Sequence, residues 1–277
     1  MRVLVTGAGG QVGSEVVEAL DRAGHEPIAR DRTRLDVSRF TATNAIEATR
    51  PDAIVHCAAY TAVDQAETER ERAFRTNAWG TMHVAAAARK ARAYLVALST
   101  DYVFDGRKRT PYLEDDKPHP LGWYGVTKLA AERYVRPDSA VVRTSWVCGR
   151  TGGNMVKTIL RLAEAREPLN FVNDQRGHPT IASDLATMLV RFVEEHHTGT
   201  WHVTNQGAVS WYEFAQEVLK AAGHDPERVK AVTTEDMPRP ARRPANSVLA
   251  NARLVAAEIP LLPDFRDSLP ALISNLR

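Results

Sequence analysis

The chain has few cysteines and no excess of charge, and each shortage narrows what it can be. Its two cysteines, Cys57 and Cys148, lie far apart with neither a CxxC pair nor histidine-rich company. That excludes a disulfide scaffold and a cysteine-built metal centre and fits free thiols in a reducing compartment. Thirty-six basic residues against 34 acidic ones leave a formal net charge of +2, spread along the chain without a tail or stripe. Nucleic acid is therefore not the expected partner. No stretch approaches the ~18 apolar residues of a membrane span. The first residues, Met1 to Thr6, run straight into a glycine turn without the apolar stretch and cleavage site of a signal peptide, so the expected location is the cytoplasm. Internal repeats are absent too. What remains is 277 residues, enough for one large core or a main domain with a smaller companion.

What is present is an alternation of apolar runs and helical periodicity. Val3-Leu4-Val5 reads as a strand, followed by Gly7-Ala8-Gly9-Gly10-Gln11-Val12-Gly13 and a helix with the stripe Val12, Val16, Val17, Ala19 and Leu20. Strand, glycine turn and helix in that order make a glycine motif credible as a dinucleotide site. Gly7 permits the tight turn, Gly10 lets the backbone approach a pyrophosphate, and Gly13 lets the helix pack close on the sheet, while the helix amino terminus supplies amides and a positive dipole. The second strand, His25 to Ala29, ends in Arg30-Asp31-Arg32. An acidic residue there favours NAD and an arginine there pairs with the extra phosphate of NADP, so NADPH or NADH is expected, with a lean to NADPH. Asp36-Val37 follows as a wall for the adenine, although Asp36 serves equally well as a cap for the next helix.

A third strand runs from Ala53 to Ala58, and His56 within it reads as a packed core residue. Then come a long helix from Glu67 to Arg92 carrying Asn77, a strand from Tyr94 to Leu98 leading to Thr100, a helix from Leu121 to Tyr134 and a strand from Ala140 to Trp146. This alternation predicts an α/β fold, a Rossmann-like doubly wound parallel sheet. Beyond Trp146 the rhythm changes: helix Met155 to Ala165, strand Leu169 to Val172, helix Ile181 to His196, strand Trp201 to Thr204, helix Trp211 to Ala222, then a proline-rich end. The expected division is a nucleotide-binding domain over 1–148, completed by about 169–200, and a smaller loop-rich substrate-binding domain from 149–168 and 201–277, with ligand between them.

Tyr124 and Lys128 lie one helical turn apart, so their side chains share a face. A free tyrosine has a pKa of about 10, and a neighbouring ammonium lowers it toward the working range of an acid catalyst. Tyr-x-x-x-Lys is also a common surface helix pair. Thr100, at the carboxyl end of its strand, stands where ligands gather in open α/β sheets, and its hydroxyl is placed to hold the same carbonyl.

Together these stretches resemble a known family. The Gly7 loop, Ala58-Ala59-Tyr60-Thr61-Ala62-Val63-Asp64, Asn77, Ser99-Thr100-Asp101-Tyr102-Val103-Phe104-Asp105-Gly106, Tyr124-Gly125-Val126-Thr127-Lys128 and Arg143-Thr144-Ser145-Trp146-Val147 are similar to the extended short-chain dehydrogenase/reductases. Within them the likeness is to the dTDP-4-dehydrorhamnose reductases, and it extends through Asp174 to Thr180, Ser210 to Ala215 and Pro240 to Ser247. Cys148, where tyrosine is usual, and Ala131, where glycine is usual in Lys-x-x-Gly-Glu, depart from that pattern.

The resemblance implies reduction of dTDP-4-dehydro-L-rhamnose to dTDP-L-rhamnose, the last step in making the activated sugar, by a monomer or homodimer. It implies Tyr124 as proton donor, Lys128 tuning Tyr124 and holding the nicotinamide ribose, and Thr100 polarising the carbonyl. Cofactor contacts would come from Gly7, Gly10, Gln11, Val12, Gly13, Arg30, Asp31, Arg32, Asp36, Val37, Ala58, Ala59, Tyr60, Thr61 and Asn77. Asp101, Tyr102 and Trp146 would line the sugar pocket, and Arg242 and Arg243 would meet the diphosphate unless their loop is merely solvated. No metal is expected, since Glu15 is the sole carboxylate recommended by the likeness and one carboxylate does not make a metal site. Two rivals remain: a reductase of another nucleotide-linked 4-ketosugar, and a non-catalytic protein that keeps the dinucleotide pocket.

Overall fold

The computed structural model describes residues 1–165 and 168–276. The first half builds strands β1 (Arg2–Thr6), β2 (Glu26–Arg30), β3 (Ala53–His56), β4 (Tyr94–Thr100) and β5 (Ala140–Thr144). With Gly199–His202 they form a parallel six-stranded sheet, ordered Gly199–His202, β5, β4, β3, β1, β2. Because side chains alternate along a strand, Val3, Val5, Val55, Val96 and Val142 face one layer and Leu4, Ile54 and Leu95 the other. The first layer holds helices α1 (Gln11–Arg22) and α7 (Ala182–Glu195); the second holds α2 (Ala42–Glu47) and α4 (Gly80–Ala91). The chain leaves β1 for β2 on one side and returns to β3 on the other. A crevice therefore opens outside the carboxyl ends of β1 and β3, the place where open sheets bind ligands.

A second core is formed by α6 (Met155–Ala163), α8 (Trp211–Ala222), the helix Phe265–Ser274 and strand Leu169–Val172. Leu169–Val172 pairs in parallel with Val229–Val232, so it does not complete the main sheet as expected; α7 and Gly199–His202 do. Within the stretch 201–277, Trp201, Val203, Leu254, Ile259 and Leu262 pack into the first core.

Two other expectations shift. The long helix over 67–92 is broken into a short turn at Gln65–Glu67, α3 (Arg70–Phe74), a π-helical turn Arg75–Trp79 and α4. The π turn carries Asn77, whose buried amide is bonded outside the helix, as such bulges at functional sites often are. The strand expected to reach Trp146 stops at Thr144, because Trp146 takes φ +46 and Val147–Cys148 then pairs with Thr180–Ile181. No described helix is long and apolar enough to cross a membrane.

Candidate active site

A cleft of about 600 Å³ occupies the crevice. Its mouth is main chain. Gly7, at φ +67, turns the chain away from β1, and a methyl on it would sit 2.7 Å from the Ala58 nitrogen across the crevice. A methyl on Gly13 would lie 2.2 Å from the Gly7 oxygen, so α1 approaches the turn as closely as backbone allows. Gly10 caps α1 without a side-chain hydrogen bond, which leaves the first-turn amides directed at the cleft for an anion. Gln11 borders the cleft beside Val12, but its amide works across it: Oε1 accepts from the Gly149 nitrogen (2.9 Å) and Asn154 Nδ2 (3.0 Å), and Nε2 donates to the Gly153 oxygen (3.2 Å). Glu15, behind it, is buried against Arg150 (2.7 Å).

Beyond β2, Asp31 and Arg32 border the cleft and Arg30 does not; the Arg30 guanidinium turns back to the Ala29 oxygen (3.0 Å). Asp31 Oδ1 accepts from Thr33 Oγ1 (2.7 Å), the Thr33 nitrogen (3.0 Å) and the Arg34 nitrogen (3.0 Å), and these bonds, the Thr33 hydroxyl first, hold its pKa below the usual carboxylate value. Asp36 and Val37 are also walls. Asp36 does not cap α2, whose N-cap is Thr41; it accepts instead from Ser38 Oγ (2.6 Å) and nitrogen (3.0 Å), which lowers its pKa. Ala58, Ala59, Tyr60 and Thr61 form the facing wall. Asn77 is no part of the walls. Fully buried, it accepts from the Tyr60 nitrogen (2.7 Å) and donates to the Tyr60 oxygen (3.1 Å) and Thr127 Oγ1 (2.8 Å), tying that wall to the helix that carries Tyr124 and Lys128.

The floor is made of side chains. Tyr124 and Lys128 project into the cleft from α5 (Trp123–Glu132). Lys128 Nζ donates to the Leu98 oxygen (2.8 Å), and burial brings its pKa down to about 8, with Glu132 resisting the fall. Although Tyr124 is only partly buried as a residue, its phenol lies deep, and that burial pushes its pKa above the ordinary value. The expected lowering by Lys128 is not seen: the spacing places both on one face, but the ammonium is aimed at a backbone carbonyl. The neighbour that favours ionisation is the Thr100 hydroxyl, while Asp101 and Tyr102 disfavour it. Tyr102 packs edge-on to Tyr124, with ring centroids 5.7 Å apart. Thr100 Oγ1 donates to Asp101 Oδ1 (3.0 Å) and accepts from the Tyr102 nitrogen (3.2 Å). Burial raises Asp101 to about 6 against the pull of Ser247 and Thr100.

Thr100, Asp101 and Tyr102 thus lie next to Tyr124 just outside the cleft walls, and Trp146, Arg242 and Arg243 are not among those walls either, although Arg243 interacts with Tyr102 and the Arg242 main chain lies beside Gly122, the N-cap of α5. Trp146 is stacked on Trp211 with centroids 3.6 Å apart. The fork of Arg243 is occupied by Asp64, Nη1 to Oδ1 and Nη2 to Oδ2 both at 3.0 Å, so it fastens the proline-rich loop to the sheet domain; Arg242 is exposed. Sequence reasoning missed Ser99 and Thr144, both walls at carboxyl ends of strands and findable by that position. It also missed Cys57, whose deep thiol is raised to about 12, and Thr33, Leu35, Thr76, Val147, Gly152 and Gly153. His56 is a core residue as expected, bonded to Thr6 Oγ1 (2.7 Å) and Thr81 Oγ1 (3.1 Å) and kept neutral by burial, with a pKa of about 3. No group of three His, Cys, Asp or Glu among the described residues is placed to hold a metal ion.

Comparison with known proteins shows the family. The chain is 41% identical to a dTDP-4-dehydrorhamnose reductase of Streptomyces griseus, covering 98% of this chain and 94% of that one. It is 42% identical to a probable dTDP-4,6-dihydroxy-2-methyloxan-3-one 4-ketoreductase of Streptomyces antibioticus, covering 97% and 93%. A crystal structure of dTDP-4-dehydrorhamnose reductase from Bacillus anthracis in complex with NADP superposes with a TM-score of 0.94 at 37% identity, covering 99% of this chain and 98% of that one. The family described as RmlD substrate binding domain matches residues 1–277, and the chain belongs to it.

Proposed function

We propose that this chain reduces the C4 carbonyl of dTDP-4-dehydro-L-rhamnose to give dTDP-L-rhamnose, with NADPH or NADH, in the cytoplasm as a monomer or homodimer. The observation that carries the reading is one cleft joining a main-chain cradle for a pyrophosphate to a tyrosine and lysine at its floor. The cradle fits a dinucleotide, since side chains are excluded where the phosphates would lie and the first-turn amides of α1 face that space. A bound nicotinamide supplies the hydride. Gly7, Gly10 and Gly13 would hold the pyrophosphate, Asp31 the adenosine ribose and Arg32 a 2′-phosphate.

Tyr124, protonated at neutral pH because burial raises its pKa, gives its proton to the oxygen that becomes the C4 hydroxyl. Thr100, beside that phenol, polarises the carbonyl, so both groups act on charge that grows in the transition state. Lys128, on the floor of the same cleft, would hold the nicotinamide ribose. Asp101, Tyr102 and Trp146 take the sugar, and Arg242, whose neighbour Arg243 is already paired, is left for the diphosphate.

The Streptomyces antibioticus relative favours a second reading, reduction of a different dTDP-linked ketosugar. Purified protein, each reduced nicotinamide and a panel of dTDP-4-ketosugars separate the two. Formation of dTDP-L-rhamnose, with its C4 configuration read by NMR, is expected. The opposite C4 epimer, or turnover confined to another ketosugar, replaces the first reading with the second. No turnover at all favours a non-catalytic protein.

A further inference from the structure

The motifs leave two residues without a role: Glu132, one turn beyond Lys128 on α5, and Arg143, which opens Arg143-Thr144-Ser145-Trp146-Val147. The fold brings them together. Arg143 Nε donates to Glu132 Oε1 (2.9 Å) and Nη2 to Oε2 (2.7 Å), the two-pronged geometry suited to a carboxylate. The same Oε1 accepts from Ser99 Oγ (2.5 Å), and Arg143 Nη1 reaches the Glu114 oxygen (3.3 Å). Ser99 and Arg143 are register partners on β4 and β5, so they present their side chains to α5 from one face. The Arg143 and Glu132 side chains are 5% and 11% exposed.

The cluster joins the three elements that carry the floor of the cleft. Helix α5 brings Tyr124 and Lys128; β4 brings Thr100 and the Leu98 carbonyl that takes the Lys128 ammonium; β5 brings Thr144. An ion pair this deep is a poor source of stability, because desolvation offsets its attraction and an apolar pair of similar volume packs as well. Its distinctive property is direction, since donors fixed on two strands meet one carboxylate on the helix.

We propose that Glu132, held by Arg143 and Ser99, is a positioning residue of this site: it sets the height and rotation of α5 against β4 and β5 so that Tyr124 and Thr100 meet one carbonyl and Lys128 is held beside them. The proposal rests on reading the site as a ketosugar reductase. Glu132 also acts on Lys128 by charge. The titratable groups that influence or are influenced by Lys128 are His56 and Cys57 from the β3 side and Glu132 from its own helix. Burial keeps His56 neutral, with a pKa of about 3, and Cys57 neutral, with a pKa of about 12. Glu132 therefore supplies the negative charge that sustains the ammonium.

The double variant Glu132→Met/Arg143→Met removes both charges while keeping the volume, and Glu132→Gln removes the anion alone. The double variant is expected to melt near the parent and to bind NADPH, while kcat falls about 10- to 100-fold, the scale of a small misplacement of a reacting group. The KM for the ketosugar should change far less. In Glu132→Gln the alkaline limb of the kcat–pH profile should move to lower pH, because Lys128 loses its proton more easily without the anion. A double variant that folds and keeps the parental kcat overturns the proposal, and so does one that melts far below the parent, since the pair is then a stability element. Failure of the unmodified chain to reduce any dTDP-4-ketosugar is a separate result that removes the reductase reading and this proposal with it.

Discussion

At its mouth the cleft presents main chain, whereas at its floor it presents buried side chains, and the two ends should answer differently to substitution. The mouth is defined by closeness: Gly7 and Gly13 leave no room for a methyl group, so in the proposed reading shape and amide direction would do the binding. The floor works by proton position and burial, with Tyr124 and Lys128 shifted in opposite directions by the same loss of water. The largest expected effect tests the floor. Tyr124→Phe removes the proton donor and little volume, so kcat should fall by ~10²–10⁴-fold while NADPH binding and the melting temperature stay near the parent. Stopped-flow turnover with parallel cofactor titration measures both, and near-parental turnover would remove Tyr124 from the chemistry.

The complementary change at the mouth is Gly13→Ala. The new methyl would lie 2.2 Å from the Gly7 oxygen and 2.8 Å from the Gly7 carbonyl carbon, both backbone atoms without rotamers to absorb it. Overpacking of this kind costs about 1–3 kcal/mol, so the variant should melt lower and bind NADPH more weakly. Its kcat at saturating cofactor should change less than that of Tyr124→Phe. If Gly13→Ala keeps both stability and cofactor affinity, the mouth is not the tight main-chain fit described here.

How much of this was legible in the sequence depended on how local each feature is. The glycine turn and the Tyr124–Lys128 pair were readable because strand-turn-helix order and one helical turn are properties of neighbouring residues. The partner of Leu169–Val172 was not, because β-propensity announces a strand without naming its neighbour. The π turn at Asn77 was hidden because its cause, the bonds to Tyr60 and Thr127, is distant in sequence. Arg243 shows the same limit: its residue type suits a diphosphate, yet Asp64, remote along the chain, occupies it. Lys128 marks a subtler one, since spacing selected the face but not the direction of its ammonium.

The smallest expected effect sharpens the comparison at the outer rim of the mouth, where the main-chain cradle gives way to one exposed side chain. Arg30 and Arg32 looked equivalent beside Asp31, but Arg30 is folded back on the Ala29 oxygen and only Arg32 borders the cleft. Asp31 is held by Thr33 and Arg34 through Oδ1, which leaves its other oxygen for ribose hydroxyls and suits NADH. Arg32 is the group positioned for a 2′-phosphate, so Arg32→Ala should weaken NADPH and spare NADH. Because Arg32 is exposed, water and salt screen the contact, and its removal should cost about 1 kcal/mol, roughly fivefold in the NADPH dissociation constant. The loss should shrink as salt is raised, since the screening length falls with ionic strength. Arg30→Ala should change neither cofactor. Titration of both nicotinamides into each variant at two salt concentrations decides the point: equal losses for NADPH and NADH in Arg32→Ala would mean that Arg32 supports the wall of the cleft rather than the phosphate.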